Sequence, residues 1–238
     1  MLSAQGIERR YGRGHSQVRA VDGVSLDLRP GQRLAVVGRS GSGKSTLARV
    51  LALLEAPDAG SVSVDGTVVT AFGMRTPRPL RRAVQLIWQS PRLACDPRLR
   101  IREIVLEPLI ANGLVGRARD ERDQVVRHWA ARLGIADELL ERFPHEVSDG
   151  QLQRACLARS LALEPRYLIC DEMSSMLDVS TQAALLEVVA EEQRRRDMGV
   201  LLVTHDHILA DHWCHDRIEL VDGRVKDARE SASALSGR

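Results

Sequence analysis

Residues 37–47 read VGRSGSGKSTL. The segment from Gly38 to Ser45 fits the pattern G-x-x-x-x-G-K-[ST], and its neighbours supply the setting that the pattern requires. Before it, RLAVVG (33–38) is a compact apolar run ending in glycine, as in a buried strand. After it, STLARVLALLEAP (45–57) carries apolar residues at helical spacing and stops at Pro57. A strand, a glycine-rich loop and a helix start make a phosphate cradle. The glycines let backbone N–H groups turn onto phosphate oxygens, and the helix N-terminus adds its dipole. Lys44 would reach the β and γ phosphates, and Ser45 would offer its hydroxyl to Mg²⁺. ATP is therefore expected on Gly38, Arg39, Ser40, Gly41, Ser42, Gly43, Lys44, Ser45 and Thr46.

The second half of such a site is YLICDE (167–172). Four apolar residues bury as a strand and deliver Asp171 and Glu172 at its C-terminal end, where α/β sheets bind ligands. Asp171 suits a Mg²⁺ shell and Glu172 a water-activating base. Elsewhere VDGVSLDL (21–28) alternates as a strand, SVSVDGTVV (61–69) reads as a hairpin around Asp65-Gly66, and AVQLIWQ (83–89) as a further strand. Residues 100–142 read as mainly helical. They are followed by a helix at 150–163, a helix at 180–195, a strand at 200–206 and a closing turn within IELVDGRV (218–225). The mixture implies an α/β core with parallel strands and a helical insertion between about residues 90 and 163.

Composition narrows the classes. The 238 residues, 44% of them hydrophobic, suffice for a sizeable core. A formal charge of +2, with arginine runs as short as Arg81-Arg82 and Arg194–Arg196, does not favour a nucleic-acid partner. The opening MLSAQGIERRYGRG has no apolar signal-peptide core, and no stretch approaches the ~20 apolar residues of a membrane span, so a soluble cytoplasmic chain is expected. Cys95, Cys156, Cys170 and Cys214 stand far apart without a C-x-x-C pair, which suits reduced thiols. His212 and His215 are spaced to share a helical face, but packing is the expected role of Cys214 between them, and no metal is expected there.

With both halves of the site in view, the chain resembles the ATP-binding subunits of ABC transporters over nearly its whole length. Tyr11 stands where that family stacks an aromatic on adenine, Gln89 in LIWQSP at the Q-loop, VSDGQ (147–151) at the signature, MLD (176–178) at the D-loop, and His205 in VTHD at the switch histidine. The resemblance implies an α/β fold with a RecA-like P-loop core, an antiparallel β subdomain and an inserted helical subdomain. It implies one domain over 1–228, with the core at about 1–90 and 164–228, the helical part at about 91–163, and a disordered tail at 229–238. It also implies roles: Glu172 and His205 catalytic; Ser45, Gln89 and Asp171 on Mg²⁺; and Ser148, Asp149, Gly150, Gln151 and Asp178 touching the nucleotide held by a partner subunit.

Longer phrases, SPRLACDPRLRIREIVLEPL, FPHEVSDGQLQRACLARSL and LDVSTQAALLEVV, are similar to the peptide and nickel importer branch. Many oligopeptide-type members carry a long extension with cysteines beyond the position of Gly223, which tilts the expectation toward nickel or a metallophore. The implied partners are a second ATP-binding subunit, two transmembrane permease subunits and, indirectly, an extracytoplasmic solute-binding protein, with the chain peripheral on the cytoplasmic face of the membrane. The segment from Pro91 to Leu109 is expected to receive a helix of the permease through Leu93, Leu99 and Ile101. The alternatives are a non-transport ABC-type ATPase and a regulatory nucleotide-binding subunit with little turnover.

Asp149 departs from the family pattern, replacing the first of the two usual signature glycines. A carboxylate ~5 Å from one phosphate charge at an effective dielectric near 20 costs about 3 kcal/mol, and a positive φ would add strain. Unless Asp149 points into solvent or satisfies a neighbouring donor, the chain is expected to work beside a non-identical ATP-binding subunit, with two unequal sites.

Overall fold

The computed structural model describes residues 1–12, 17–173 and 179–226. In chain order these form β1 (Leu2–Tyr11), β2 (Val18–Leu28), β3 (Arg33–Val37), α1 (Lys44–Leu51), β4 (Ala59–Val64) and β5 (Thr67–Val68). Next come α2 (Arg78–Ala83), β6 (Val84–Ile87), α3 (Pro91–Ala94), α4 (Ile101–Ala111), α5 (Arg119–Leu133) and α6 (Asp149–Leu161). The chain continues through β7 (Tyr167–Asp171), α7 (Val179–Arg196), β8 (Gly199–Thr204), α8 (His207–Trp213), β9 (Asp216–Val221) and β10 (Arg224–Val225). Asp178 and the tail from residue 229 onward lie outside the described residues.

Two compact units emerge, Met1–Thr76 with Gly199–Arg238, and Pro77–Met198. In the first, an antiparallel sheet runs in the order β2-β1-β4-β5. Leu2 and Ala4 pair with Leu28 and Leu26 on one side and with Val64 and Val62 on the other, and all six are buried. The period-2 pattern thereby gives the sheet one apolar face. Strand β3 of the same unit pairs in parallel with both β8 and β9. Leu34, Ala35, Val36 and Val37 are all buried, as a parallel strand covered on both faces requires. In the second unit β6 and β7 pair in parallel, and α4, α5 and α6 pack on one another.

Three elements differ from the sequence reading. Helix α1 ends at Leu51, short of Pro57, because Leu53 adopts φ 62° and its carbonyl accepts bonds from the Gly73 N–H (2.8 Å) and the Thr76 hydroxyl (3.1 Å). Strand β8 stops at Thr204 because Asp206 caps α8, its carboxylate accepting the Leu209 N–H at 3.0 Å. His215 falls beyond α8 and accepts the Arg33 N–H on Nδ1 at 3.0 Å, so it shares no helical face with His212. Among the described residues no cluster of three or more His, Cys, Asp or Glu could hold a metal ion, and no helix is long and apolar enough to cross a membrane.

The second unit contains a buried charge cluster. Glu192 on α7 is fully buried and pairs with Arg132 of α5, with Arg195 at 2.7 Å and with Arg196 at 2.7 Å. Burial pushes its carboxyl up, but the hydrogen bonds from Arg195 and Arg196 and the charge of Arg132 outweigh burial and hold it below the usual carboxylate value. Removing the anion leaves three guanidiniums around an empty site, and Glu192→Ala should destabilise the protein by about 3 kcal/mol in urea unfolding. This contribution is complete above the unfolded carboxylate value near 4.3 and is lost as pH falls through the lower folded one. The gap between wild type and variant should therefore close in acid; a constant gap would point to lost packing alone.

Candidate functional site

Two pairs of parallel strands present the candidate residues, one pair in each unit. In the first unit Val37 of β3 faces Thr204 of β8, so the loop starting at Gly38 and the exposed His205 leave the same edge of the sheet. Gly38 has to be glycine because a Cβ there would lie 2.3 Å from the Leu220 carbonyl oxygen. Gly43 caps α1 at φ 100°, and a Cβ on it would lie 1.9 Å from the Ala20 carbonyl oxygen. With no side chain capping α1, the first-turn N–H groups are left to the loop and its ligand.

Lys44 is buried, and its ammonium donates to the carbonyls of Gly38 at 2.8 Å and Arg39 at 2.9 Å. The positive charge is thus held against the loop that surrounds it. The Ser42 hydroxyl is buried with no hydrogen-bond partner, a polar atom whose desolvation a phosphate oxygen would offset. Ser45 follows Lys44 in the first turn, and Thr46 is buried, its hydroxyl accepting from Arg49 at 3.2 Å. Exposed Arg39, Ser40 and Gly41 complete the turn. A phosphate cradle with an orphaned donor, a buried ammonium and an uncapped helix fits a nucleotide.

Tyr11 is fixed more firmly than a solvated aromatic. Its hydroxyl donates to Glu55 at 2.7 Å and accepts from Arg49 at 3.1 Å, while the Arg9 guanidinium stands 5.0 Å from the ring centroid. Burial raises the Glu55 carboxyl, but bonds from Tyr11, Arg9 and Arg49 outweigh it and keep the group below its ordinary value.

In the second unit Ile87 of β6 pairs with Cys170 of β7, so Gln89 lies just beyond β6, while Asp171 closes β7 and Glu172 follows it. The Gln89 amide donates to Glu172 at 2.9 Å. Asp171 is buried, and its carboxylate is of the oxygen type that a hard divalent cation takes. Glu172 adopts φ 46°, a left-handed backbone costly for a branched-off side chain and a common sign of a functional position.

The signature residues open α6. Ser148 is its N-cap: its hydroxyl accepts the Gln151 N–H at 3.2 Å, and the Gln151 side chain accepts the Ser148 N–H at 2.9 Å. Asp149 and Gly150 have no positive φ, so the acid adds no backbone strain. Sequence reasoning missed its partner. Arg92 of α3 places Nε 2.7 Å from Asp149 Oδ1 and donates to the carbonyls of Pro144 at 2.8 Å and Val147 at 3.1 Å. Asp149 Oδ1 is shielded from solvent and takes this charge contact without an aligned hydrogen bond. The expected docking residues divide: Leu93 is 85% exposed, Leu99 lines an open groove of about 680 Å³ with Leu106 and Ile110, and Ile101 is 1% exposed. Ile101 is therefore a core residue at the start of α4 and not a docking one.

A family model described as ABC transporter matches residues 21–175. The chain belongs to the ABC transporter family. As an ATP-binding cassette of that family it is an ATPase. It is 38% identical over 230 residues to the di/tripeptide transport ATP-binding protein DppF of Pseudomonas aeruginosa, covering 94% of this chain and 71% of that protein. It is 32% identical over 241 residues to the nickel import ATP-binding protein NikE of Shigella boydii, covering 99% and 89%. Against the oligopeptide transport ATP-binding protein OppD of Mycobacterium tuberculosis, 39% identical over 228 residues, it covers 96% of itself and 36% of that protein. Among solved structures, the post-hydrolysis dimer of the ATP-binding cassette MJ0796 with ADP and Pi superposes with a TM-score of 0.86, at 26% identity, covering 95% of this chain and 97% of that one. The ABC ATPase fold expected for the chain is thereby established.

Gly43→Ala should lower ATP affinity by at least about tenfold, since the left-handed backbone alone costs about 1–3 kcal/mol in a non-glycine residue. Fluorescent-nucleotide titration alongside far-UV circular dichroism checks this. Unchanged affinity in a folded variant would exclude the loop geometry as the cradle.

Proposed function

We propose that this cassette is the ATP-hydrolysing subunit of an importer that takes up peptides, nickel or a metal–metallophore complex. It is carried by the phosphate cradle closed on Lys44 in the first unit, to which the second unit adds a carboxylate, Glu172, held at a strand end by Gln89. The importer class draws support from the names of DppF, OppD and NikE. The chain works at the cytoplasmic face of the membrane with two permease subunits, which a solute-binding protein serves from outside. Leu93 and the groove beside Leu99 offer the apolar side chains a permease helix needs. Co-purification with two membrane subunits tests this against a non-transport ATPase or a silent regulatory subunit.

Within the site, Lys44 holds the terminal phosphates as a point charge and Tyr11 supports the base through the face that Arg9 does not cover. Ser45, Gln89 and Asp171 would hold Mg²⁺, which supplies charge neutralisation at the phosphate oxygens when bound. Glu172 takes the proton of the attacking water, oriented by the Gln89 amide, and His205 serves as the switch residue. Lys44→Ala should therefore lose most ATP binding, whereas Glu172→Gln should bind ATP and lose most turnover. Normal affinity in the first variant, or normal turnover in the second within the assembled importer, would overturn these roles.

Ser148, Asp149, Gly150 and Gln151, with Asp178, contact the nucleotide of a second ATP-binding subunit. An unpaired Asp149 would repel that nucleotide and require a non-identical partner with an unaltered loop. Arg92 cancels the charge, so electrostatics no longer selects between identical and non-identical partners, and nearly equal losses are expected from the base mutation in either subunit. Removing Arg92 alone should restore the repulsion. Arg92→Ala is expected to lower turnover of the assembled importer about tenfold, as a fraction of the ~3 kcal/mol unscreened cost implies. Asp149→Gly in the same chain should recover most of it. A double variant as poor as Arg92→Ala would mean that Arg92 acts only through Pro144 and Val147.

A further inference from the structure

Cys95 follows α3, and Cys156 lies two turns into α6. Although far apart in sequence, both thiols reach one acceptor, the Pro91 carbonyl oxygen, at 3.4 Å from Cys95 Sγ and 3.8 Å from Cys156 Sγ. The shared carbonyl brings the two side chains together. Cys95 is partly exposed and Cys156 buried, so Cys95 is the more accessible of the two. The surroundings are cationic: Arg159 donates to the Ala94 carbonyl and pairs with Glu107 at 3.0 Å, and Arg92 stands three residues before Cys95.

We propose that Cys95 and Cys156 form a hydroperoxide-responsive dithiol, with Cys95 the reacting nucleophile and Cys156 the thiol that closes a disulfide between the α3 segment and helix α6. The Cys95 thiolate attacks one peroxide oxygen and the O–O bond breaks. The leaving oxygen takes a proton and departs as water or alcohol, and Cys95 becomes a sulfenic acid. Cys156 sulfur then attacks Cys95 sulfur, its proton goes to the departing hydroxyl, and water leaves as the S–S bond forms. The two electrons lost by the thiols reduce the peroxide.

The electrostatics agree with these roles. The neighbouring Cys156 thiol, with the charges of Arg159 and Arg92, lowers the Cys95 thiol to about 7 against burial and Glu107, whereas the neighbouring Cys95 and burial push Cys156 up. Cys95 is thus the more readily ionised of the two, and the thiolate is the form that attacks a peroxide. Cys214 offers an internal contrast: burial against Ala35, Val37 and Ala210 raises its thiol to about 12. A thiol pair of this kind in a reducing compartment forms transient bonds, consistent with a sensor and not a staple.

The bond would fuse the segment after Gln89 to the signature helix. Its effect on turnover rests on the ATPase reading above, but its formation does not. The test exposes the full chain, without nucleotide, to low-millimolar hydrogen peroxide at pH 6 to 8, followed by thiol blocking and non-reducing peptide mass spectrometry. A Cys95–Cys156 link is expected, with Cys170 and Cys214 remaining thiols. Its initial rate should rise with pH as the Cys95 thiol ionises and level off below the range of an ordinary cysteine. In Cys156→Ser a dimedone adduct should accumulate on Cys95. Absence of the link in wild type, a flat pH profile, or equal oxidation of Cys214 would each overturn the proposal. In the assembled transporter, oxidation should reduce turnover severalfold, with dithiothreitol restoring it; an oxidised complex with unchanged turnover would overturn the regulatory consequence.

Discussion

The parallel pairing of short buried strands is the constraint on which the site depends. In parallel pairs, neighbouring strands end on the same side, so whatever follows them in sequence is delivered to one edge. Val37 opposite Thr204 sends Gly38 and His205 out together, and Ile87 opposite Cys170 does the same for Gln89 and Glu172. A slip by one residue in the second pair would turn the buried strand residues out of register and break the 2.9 Å contact between Gln89 and Glu172. The apolar burial of β3, β7 and β8 thus does more than stabilise the sheet. It sets where the polar chemistry emerges.

At those edges the backbone accepts strain that the packed strands hold in place. Glu172 at φ 46° would relax in a free peptide, but it follows the fully buried Tyr167–Cys170 run and cannot rotate without moving it. Gly43 and Gly38 meet the same demand by having no side chain, because the carbonyls of Ala20 and Leu220 occupy the space a Cβ would need. Lys44, folded onto the carbonyls of its own loop, then keeps a charge indoors that would otherwise be expensive to desolvate.

Arg92 joins elements that the sequence keeps apart. Its guanidinium reaches two carbonyls ahead of α6 and the carboxylate that opens it, and the residue two positions beyond it accepts from Arg159 of the same helix. The planar fork of arginine suits such divided contacts, which a lysine could not make together. Here Asp149 is not a defect in an otherwise regular loop. It is one half of a charge pair, placed at a helix start whose dipole also favours an anion.

The local chemistry was legible in the chain itself. Gly38–Ser45 between an apolar run and a helical pattern, YLICDE ending in two acids, and Asp65-Gly66 in an alternating segment each carry their physics within a few residues, so periodicity and turn chemistry sufficed to place them. Tertiary structure decided what depends on partners distant in sequence. It ended α1 early through bonds from Gly73 and Thr76 to the Leu53 carbonyl, buried Ile101, moved His215 onto the Arg33 backbone, and brought Cys95 and Cys156 to one carbonyl. It also gave Asp149 its counterion, because the separation of two charges along a chain says nothing about their distance in space until packing closes the loop between them.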